Sequence, residues 1–261
     1  MKKIYIKDLQ ELKKSNQKFA AITAYDFLSA RAIEELGFPI ILVGDSASMV
    51  VYGYSDTVPV SMDEMLFVLR AVVRGASSPL IVADMPFLSY QASVEDAIKN
   101  AGLFLKNGAG AVKLEGGESV SEAVEALVGA GIPVMGHIGL LPQTSSNFKV
   151  KGKNTLQEKK IFKDALEISN SGVFAIVIEC VLEKLAKKIT KTISVPTIGI
   201  GASRYCDGQI LVTEDMLGLS ETYPKFVKRY TNLSSLMEKS VKKYTQDVKM
   251  RKFPSAKNIY R

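Results

Sequence analysis

In the stretch AVKLEGG (111–117) a lysine and a glutamate stand two residues apart in an otherwise apolar run. On a β-strand side chains alternate between faces, so Lys113 and Glu115 share one face and Val112 and Leu114 the other. Other apolar runs end in similar groups: Asp45-Ser46 after PIILVG, Asp84 in PLIVADMPF, His137 in PVMGHIGL and Glu179 in FAIVIEC. If these ends converge, five carboxyl or imidazole groups and one ammonium meet, at a cost of several kcal/mol unless something neutralises them. A cation shared by Asp45, Asp84 and Glu115, directly or through water, resolves the repulsion. Aspartate and glutamate oxygens without clustered His or Cys favour a hard ion, magnesium above all, which keeps positions open for water or substrate. Lys113, deeper on the same face, then offers a fixed positive charge to an anionic substrate. From AVKLEGG alone an interior ion pair reads equally well. His137, the only histidine, reads either as a hydrogen-bond donor to substrate or as a satisfied core residue.

Such groups meet only if the elements carrying them share one end. Eight apolar runs qualify as strands: FAAITAYD (19–26), PIILVGD (39–45), PLIVADMPF (79–87), AVKLEGG (111–117), PVMGHIGL (133–140), FAIVIEC (174–180), PTIGIGA (196–202) and QILVTED (209–215). They are rich in Val, Ile and Leu rather than strictly alternating, which indicates strands covered on both faces and hence a parallel sheet. Helix-like stretches follow the strands; SVEDAIKNAGLFLKNGAG opens on Ser93 as N-cap and stops at Gly108. Eight βα units predict a closed α/β (β/α)8 TIM barrel, with chemistry at the carboxyl ends of the strands, and an open doubly wound sheet is the alternative. The reading is of one domain over 1–261 with a basic helical extension from about 224. Cys180, next to Glu179, faces the helices, and GIGAS (199–203) lacks the spacing of a nucleotide-phosphate loop.

Composition narrows the function classes. The 261 residues are 47% apolar and 23% charged, enough for one large core. The amino terminus has lysines but no apolar run behind them, and no segment approaches the length of a membrane span. Two cysteines without metal-type spacing suit a reducing cytosol, so a cytoplasmic enzyme is expected. The net charge of +7 is local: residues 224–261 hold 11 of the 34 Lys and Arg but 2 of the 27 Asp and Glu, and the rest is close to neutral. A solvated basic helix face explains this tail better than nucleic-acid binding, for which no aromatic-basic or zinc-finger pattern is present. Neither a nucleic-acid partner nor a membrane is expected.

The motifs ITAYD (22–26), LVGDS (42–46), ADMPF (83–87), VKLEGG (112–117), GHIGL (136–140), VIECV (177–181), PTIGIGA (196–202) and DGQILV (207–212) run in order through most of the chain. Together they resemble the ketopantoate hydroxymethyltransferase (3-methyl-2-oxobutanoate hydroxymethyltransferase) family of pantothenate biosynthesis. The resemblance implies a barrel of the phosphoenolpyruvate-binding superfamily, magnesium dependence, 5,10-methylenetetrahydrofolate as co-substrate and a homodecamer. It also implies roles: Asp45, Asp84 and Glu115 as metal-site carboxylates, some through water; Ser46 and Lys113 as ketoacid contacts, with Asp45 and Asp84 beside the ketoacid; Glu179 as the base that removes the proton on carbon 3. The sequence departs from the family at Val68, where histidine is frequent, at Leu141, where threonine is usual, and in a shortened NFKVKG loop (147–152). These departures concern the folate side and the lid. Within the superfamily, isocitrate lyase carries a KKCGH-like loop that this sequence lacks. A barrel without catalysis would have no reason to keep such costly groups at its mouth.

Overall fold

A computed structural model describes residues 2–145 and 149–260. The chain divides into two compact units, one ending at Val212 and one beginning at Thr213. In the first, helix α1 (Ile6–Lys14) precedes β1 (Phe19–Thr23), α2 (Phe27–Glu34), β2 (Ile40–Val43), α3 (Ala47–Val50), α4 (Met62–Gly75) and β3 (Leu80–Asp84). Then come α5 (Val94–Lys106), β4 (Ala111–Glu115), α6 (Ser121–Gly129), β5 (Val134–Gly139), α7 (Thr155–Asn170), β6 (Ala175–Glu179), α8 (Glu183–Thr192), β7 (Thr197–Ile200) and β8 (Gly208–Leu211). All eight strands pair in parallel, in sequence order, and β8 closes on β1 to form the expected barrel.

Local chemistry sets the helix ends. The Ser61 hydroxyl accepts from Glu64 N while Glu64 accepts from Ser61 N, a reciprocal cap that starts α4. Ser93 caps α5 as the sequence predicts, and Gly108, at φ 100°, takes a left-handed conformation just past its end.

The barrel interior is apolar at the amino end of the strands, where Ala21, Leu42, Val82, Ala111, Met135, Val177, Ile198 and Ile210 cluster. Leu9 of α1 joins this cluster fully buried, and Ile4, Ile6 and Leu12 pack against it. Lys13 Nζ fastens α1 by donating to Asp207 Oδ2 at 2.8 Å and to the Thr190 carbonyl at 3.1 Å. Helix α1 therefore plugs the end opposite the strand carboxyl termini. Leu9→Ala should cost about 2–5 kcal/mol through lost burial and the cavity left behind. A lower urea midpoint with unchanged activity per folded molecule is the expected result; lost activity at full stability would show that the plug acts on the site.

One element departs from the expected pattern. No helix follows β7; residues 201–207 return directly to β8. Side-chain bonds hold this short connection: Asp207 Oδ2 accepts from Thr197 N at 2.9 Å and from Thr197 Oγ1 at 3.1 Å, and Gln209 Nε2 donates to the Ser203 carbonyl at 2.8 Å. Seven residues are too few for both a helix and its turns.

The second unit contains α9 (Thr213–Leu217) and α10 (Leu233–Lys249). The Asn232 side chain caps α10 by accepting from Ser235 N, and no residue of this helix is buried. Leu236, Met237, Val241, Tyr244 and Val248 are exposed along it. Among the described residues no helix is long and apolar enough to cross a membrane.

Candidate active site

Strand register decides which groups meet. β3 sets Asp84 beside Lys113 of β4, β4 sets Glu115 beside His137 of β5, and β5 sets Gly139 beside Glu179 of β6. Val82, Ala111, Met135 and Val177 belong to the apolar interior. Two residues further along the same strands, Asp84, Lys113, His137 and Glu179 return to that face one layer nearer the mouth. A polar layer thus lies directly over an apolar one.

Lys113 Nζ donates to both oxygens of Asp84, at 2.6 and 2.7 Å, and lies 3.8 Å from Glu115 Oε1. Lys113 and Glu115 therefore share one face, as AVKLEGG predicts. His137 stands between two carboxylates, with Nδ1 3.3 Å from Glu115 Oε1 and Nε2 3.3 Å from Glu179 Oε2. Neither contact has hydrogen-bond geometry; among the described residues, both ring nitrogens and Glu115 Oε1 are buried without a hydrogen-bond partner. Asp84, Lys113, Glu115 and His137 are each at most 5% exposed, while Glu179 is partly open.

Strict alternation would turn Asp45 outward with Ile41 and Val43. Strand β2 ends at Val43 instead, and the chain bends into α3, so Asp45 is buried with its amide donating to Asp84 Oδ2 at 3.2 Å. The next residue, Ser46, has its hydroxyl 2.7 Å from that of Tyr25. Glu179 is held by its main chain: its carbonyl accepts from Leu140 N at 2.9 Å, and the following Cys180 takes a positive φ of 49°. Gly139, at φ 100°, passes so close that a Cβ there would fall on the Glu179 carbonyl oxygen. This close approach accounts for the second glycine of GHIGL.

Burial and charge pull the titrations in opposite directions. Burial, then Asp84 and Glu115, push the Asp45 carboxyl well above the usual range, against Lys113 and Gln143. Burial also disfavours the charged Glu115, but His137, Lys113 and the Gln143 amide outweigh it and lower its pKa. Burial and the Lys113 ammonium press His137 down, yet Glu115 and Glu179 prevail and raise it to about 9. For Lys113, burial is overcome by Asp84, Glu115 and Asp45, and the pKa rises. The neighbouring Cys180 thiol is pushed up to about 12, mainly by burial, and is inert at neutral pH.

A model of the ketopantoate hydroxymethyltransferase family matches residues 3–256. The chain belongs to this family. It is 52% identical over 265 residues to the 3-methyl-2-oxobutanoate hydroxymethyltransferase of Carboxydothermus hydrogenoformans, covering 100% of this chain and 96% of that protein. To the enzyme of the same name from Staphylothermus marinus it is 49% identical over 263 residues, covering 100% of this chain and 97% of that protein. Among solved structures, phosphonopyruvate hydrolase in complex with oxalate and Mg++ superposes with a TM-score of 0.64 at 16% identity, over 99% of this chain and 93% of that one. The 2,3-dimethylmalate lyase of the PEP mutase/isocitrate lyase superfamily gives 0.61 at 14% identity, over 93% and 88%. These distant likenesses concern the fold alone, the closed (β/α)8 barrel expected from the sequence.

Of the candidate residues, Asp84, Glu115 and Glu179 end β3, β4 and β6, Asp45 and Ser46 follow β2, and Lys113 and His137 lie two residues before the ends of β4 and β5. Of the family departures, Val68 is buried in α4 and Leu141 is half-buried. In the 147–152 loop, residues 147 and 148 lie outside the described residues, and Lys151 N donates to the Cys180 carbonyl at 2.7 Å. Sequence reasoning missed Tyr25, Tyr90 and Gln143. Tyr90 and Gln143 are both buried, and Gln143 reaches Asp45 and Glu115. Tyr25 sits in ITAYD and Gln143 in LLPQ, both just past strand ends; that position was the available signal.

Proposed function

We propose that this chain is a 3-methyl-2-oxobutanoate hydroxymethyltransferase, moving a one-carbon unit from 5,10-methylenetetrahydrofolate to 3-methyl-2-oxobutanoate to give 2-dehydropantoate in pantothenate biosynthesis. Full-length family membership supports the reaction class, and the observation that carries the reading is the charge balance of the polar layer. Four carboxylates, Asp45, Asp84, Glu115 and Glu179, face two cations, Lys113 and His137. Ionised together they carry two excess negative charges, which suits a divalent cation.

The donor set fits magnesium. It is all oxygen, one buried Glu115 oxygen has no hydrogen-bond partner among the described residues, and Asp45 ionises only with difficulty when no cation is near. Among the described residues no three His, Cys, Asp or Glu side chains are arranged to hold an ion by themselves. Magnesium commonly takes one or two carboxylates and keeps waters or substrate oxygens for the rest. Asp45 and Asp84 would hold it, with Glu115 acting through water. Bound there, it supplies a Lewis acid that polarises the 2-oxo group and acidifies the proton on carbon 3.

Glu179, the most accessible carboxylate of the layer, removes that proton, and Lys113 offers a fixed positive charge to the enolate. This charge is arranged before the reaction, so it stabilises the transition state without reorganisation. Ser46 holds the ketoacid, and His137 orients the carboxylates on either side of it or donates to substrate. The carbon nucleophile then attacks the one-carbon unit of the folate, water supplies the oxygen of the new hydroxymethyl group, and tetrahydrofolate is released with 2-dehydropantoate. The proposed setting is the cytoplasm and the proposed assembly a homodecamer; the exposed apolar side chains of α10 support contact with other copies.

The test is turnover of 3-methyl-2-oxobutanoate with 5,10-methylenetetrahydrofolate, expected with magnesium and lost on chelation. By calorimetric titration Asp45→Ala and Asp84→Ala should each weaken magnesium binding and turnover together. Unchanged affinity in both variants would remove the ion from this site. Cleavage of phosphonopyruvate or a dicarboxylate without folate would assign the chain to another chemistry of the superfamily.

A further inference from the structure

Gln143 bonds two members of the polar layer, Asp45 and Glu115, although it carries no charge. Its Nε2 donates to Asp45 Oδ2 at 2.9 Å and to the Met85 carbonyl at 2.9 Å. Its Oε1 accepts from the Tyr90 hydroxyl at 2.8 Å and from Gln91 Nε2 at 3.3 Å, and its main-chain N donates to Glu115 Oε2 at 3.1 Å. The residue is 3% exposed. All four hydrogen-bonding positions of the amide are filled. Its orientation is determined by its partners: the Met85 carbonyl only accepts, so the NH2 must face it and Asp45. The Tyr90 hydroxyl accepts from Glu115 N at 3.1 Å and has two acceptors within reach of its proton, Gln143 Oε1 at 2.8 Å and the Glu115 carbonyl at 3.2 Å, of which Gln143 is the nearer.

We propose that Gln143 is a positioning residue that holds one oxygen of Asp45 through its side chain and one oxygen of Glu115 through its main chain, leaving the other Asp45 oxygen for the cation and Glu115 Oε1 facing His137 Nδ1 and Lys113 Nζ, 3.3 and 3.8 Å away. This inference rests on the functional reading above. An amide suits the task better than a charged group. A cation there would compete with the metal for Asp45, and a carboxylate would add to the repulsion among Asp45, Asp84 and Glu115. With Gln143 in place, Asp45 Oδ2 and Glu115 Oε2 are engaged, and Glu115 Oε1 remains without a hydrogen bond among the described residues. Partners of this kind, one step removed from the ion, typically account for about tenfold to hundredfold in metal affinity or activity.

Gln143→Met keeps the volume and removes the donor to Asp45 and the acceptor for Tyr90. We expect magnesium affinity, measured by calorimetry on the full chain, to fall about tenfold to hundredfold, and proton exchange at carbon 3 of the ketoacid to fall with it. Where Gln143→Met does not fold, Gln143→Asn serves: it keeps an amide but, one methylene shorter, cannot reach Asp45 and Tyr90 together, and the same loss is expected. A merely structural residue would lower the melting temperature of the ion-free protein and leave the affinity of the folded fraction at the parent value; that result overturns the proposal. A parent protein that neither binds magnesium nor exchanges the proton overturns the functional reading and this inference with it. A parent that does both, matched by the variants, overturns this inference alone.

Discussion

Glu179→Gln should stop the exchange of the carbon 3 proton of 3-methyl-2-oxobutanoate with deuterated water while leaving ketoacid binding intact. Exchange needs no folate, because proton removal precedes attack on the one-carbon unit. Glu179 sits at the end of β6, partly open to the mouth, with its backbone fixed by Leu140 and by the close passage of Gly139. General bases typically contribute about 100-fold to 10,000-fold, so the loss should be large. Proton NMR in heavy water, run beside a binding titration, gives both quantities. Equal losses in binding and exchange would show that Glu179 organises the site rather than accepting the proton. Exchange near the parent rate would pass the role to another group; His137, 3.3 Å away, is the next candidate, although Glu115 and Glu179 raise its pKa to about 9 and so favour its protonated form.

Lys113→Met should have the largest effect on stability. The ammonium is buried, bound to both oxygens of Asp84 and 3.8 Å from Glu115. Removing it leaves Asp84, Asp45 and Glu115 with His137 as the one neighbouring cation among the described residues. Breaking a buried ion pair by deleting one partner costs roughly 3–5 kcal/mol. For a chain of this size the melting temperature should fall on the order of 10 °C, measured by calorimetry without added metal. The sign of the pH dependence follows from Asp45, whose carboxyl is raised above its ordinary value of 3.8. A raised carboxylate binds more protons when folded than when unfolded, so its cost appears as pH rises above about 4 and is relieved as pH falls. The deficit of Lys113→Met should therefore shrink on acidification. A loss under about 1 kcal/mol would mean that the layer is held together without this charge.

The strands, their parallel pairing and the layer that carries the chemistry are legible in the sequence because they depend on local periodicity. Two-residue alternation places Lys113 and Glu115 on one face whatever the rest of the chain does, and Val- and Ile-rich runs call for cover on both sides. The missing helix after β7 was hidden because the 201–207 connection is held by Asp207 and Gln209, and hydrogen bonds of that kind leave no periodic trace. Position beyond a strand end follows no such rule. Asp45 reaches the mouth only because β2 stops at Val43 and the chain bends, and no pattern distinguishes the Gln143 side chain from any other polar residue of a loop. Asp45 and Gln143 are 98 residues apart, yet their side chains bond at 2.9 Å. Short-range alternation was determined by the sequence itself, whereas the meeting of groups from separate loops was decided only when the barrel closed and brought the strand ends within hydrogen-bonding distance.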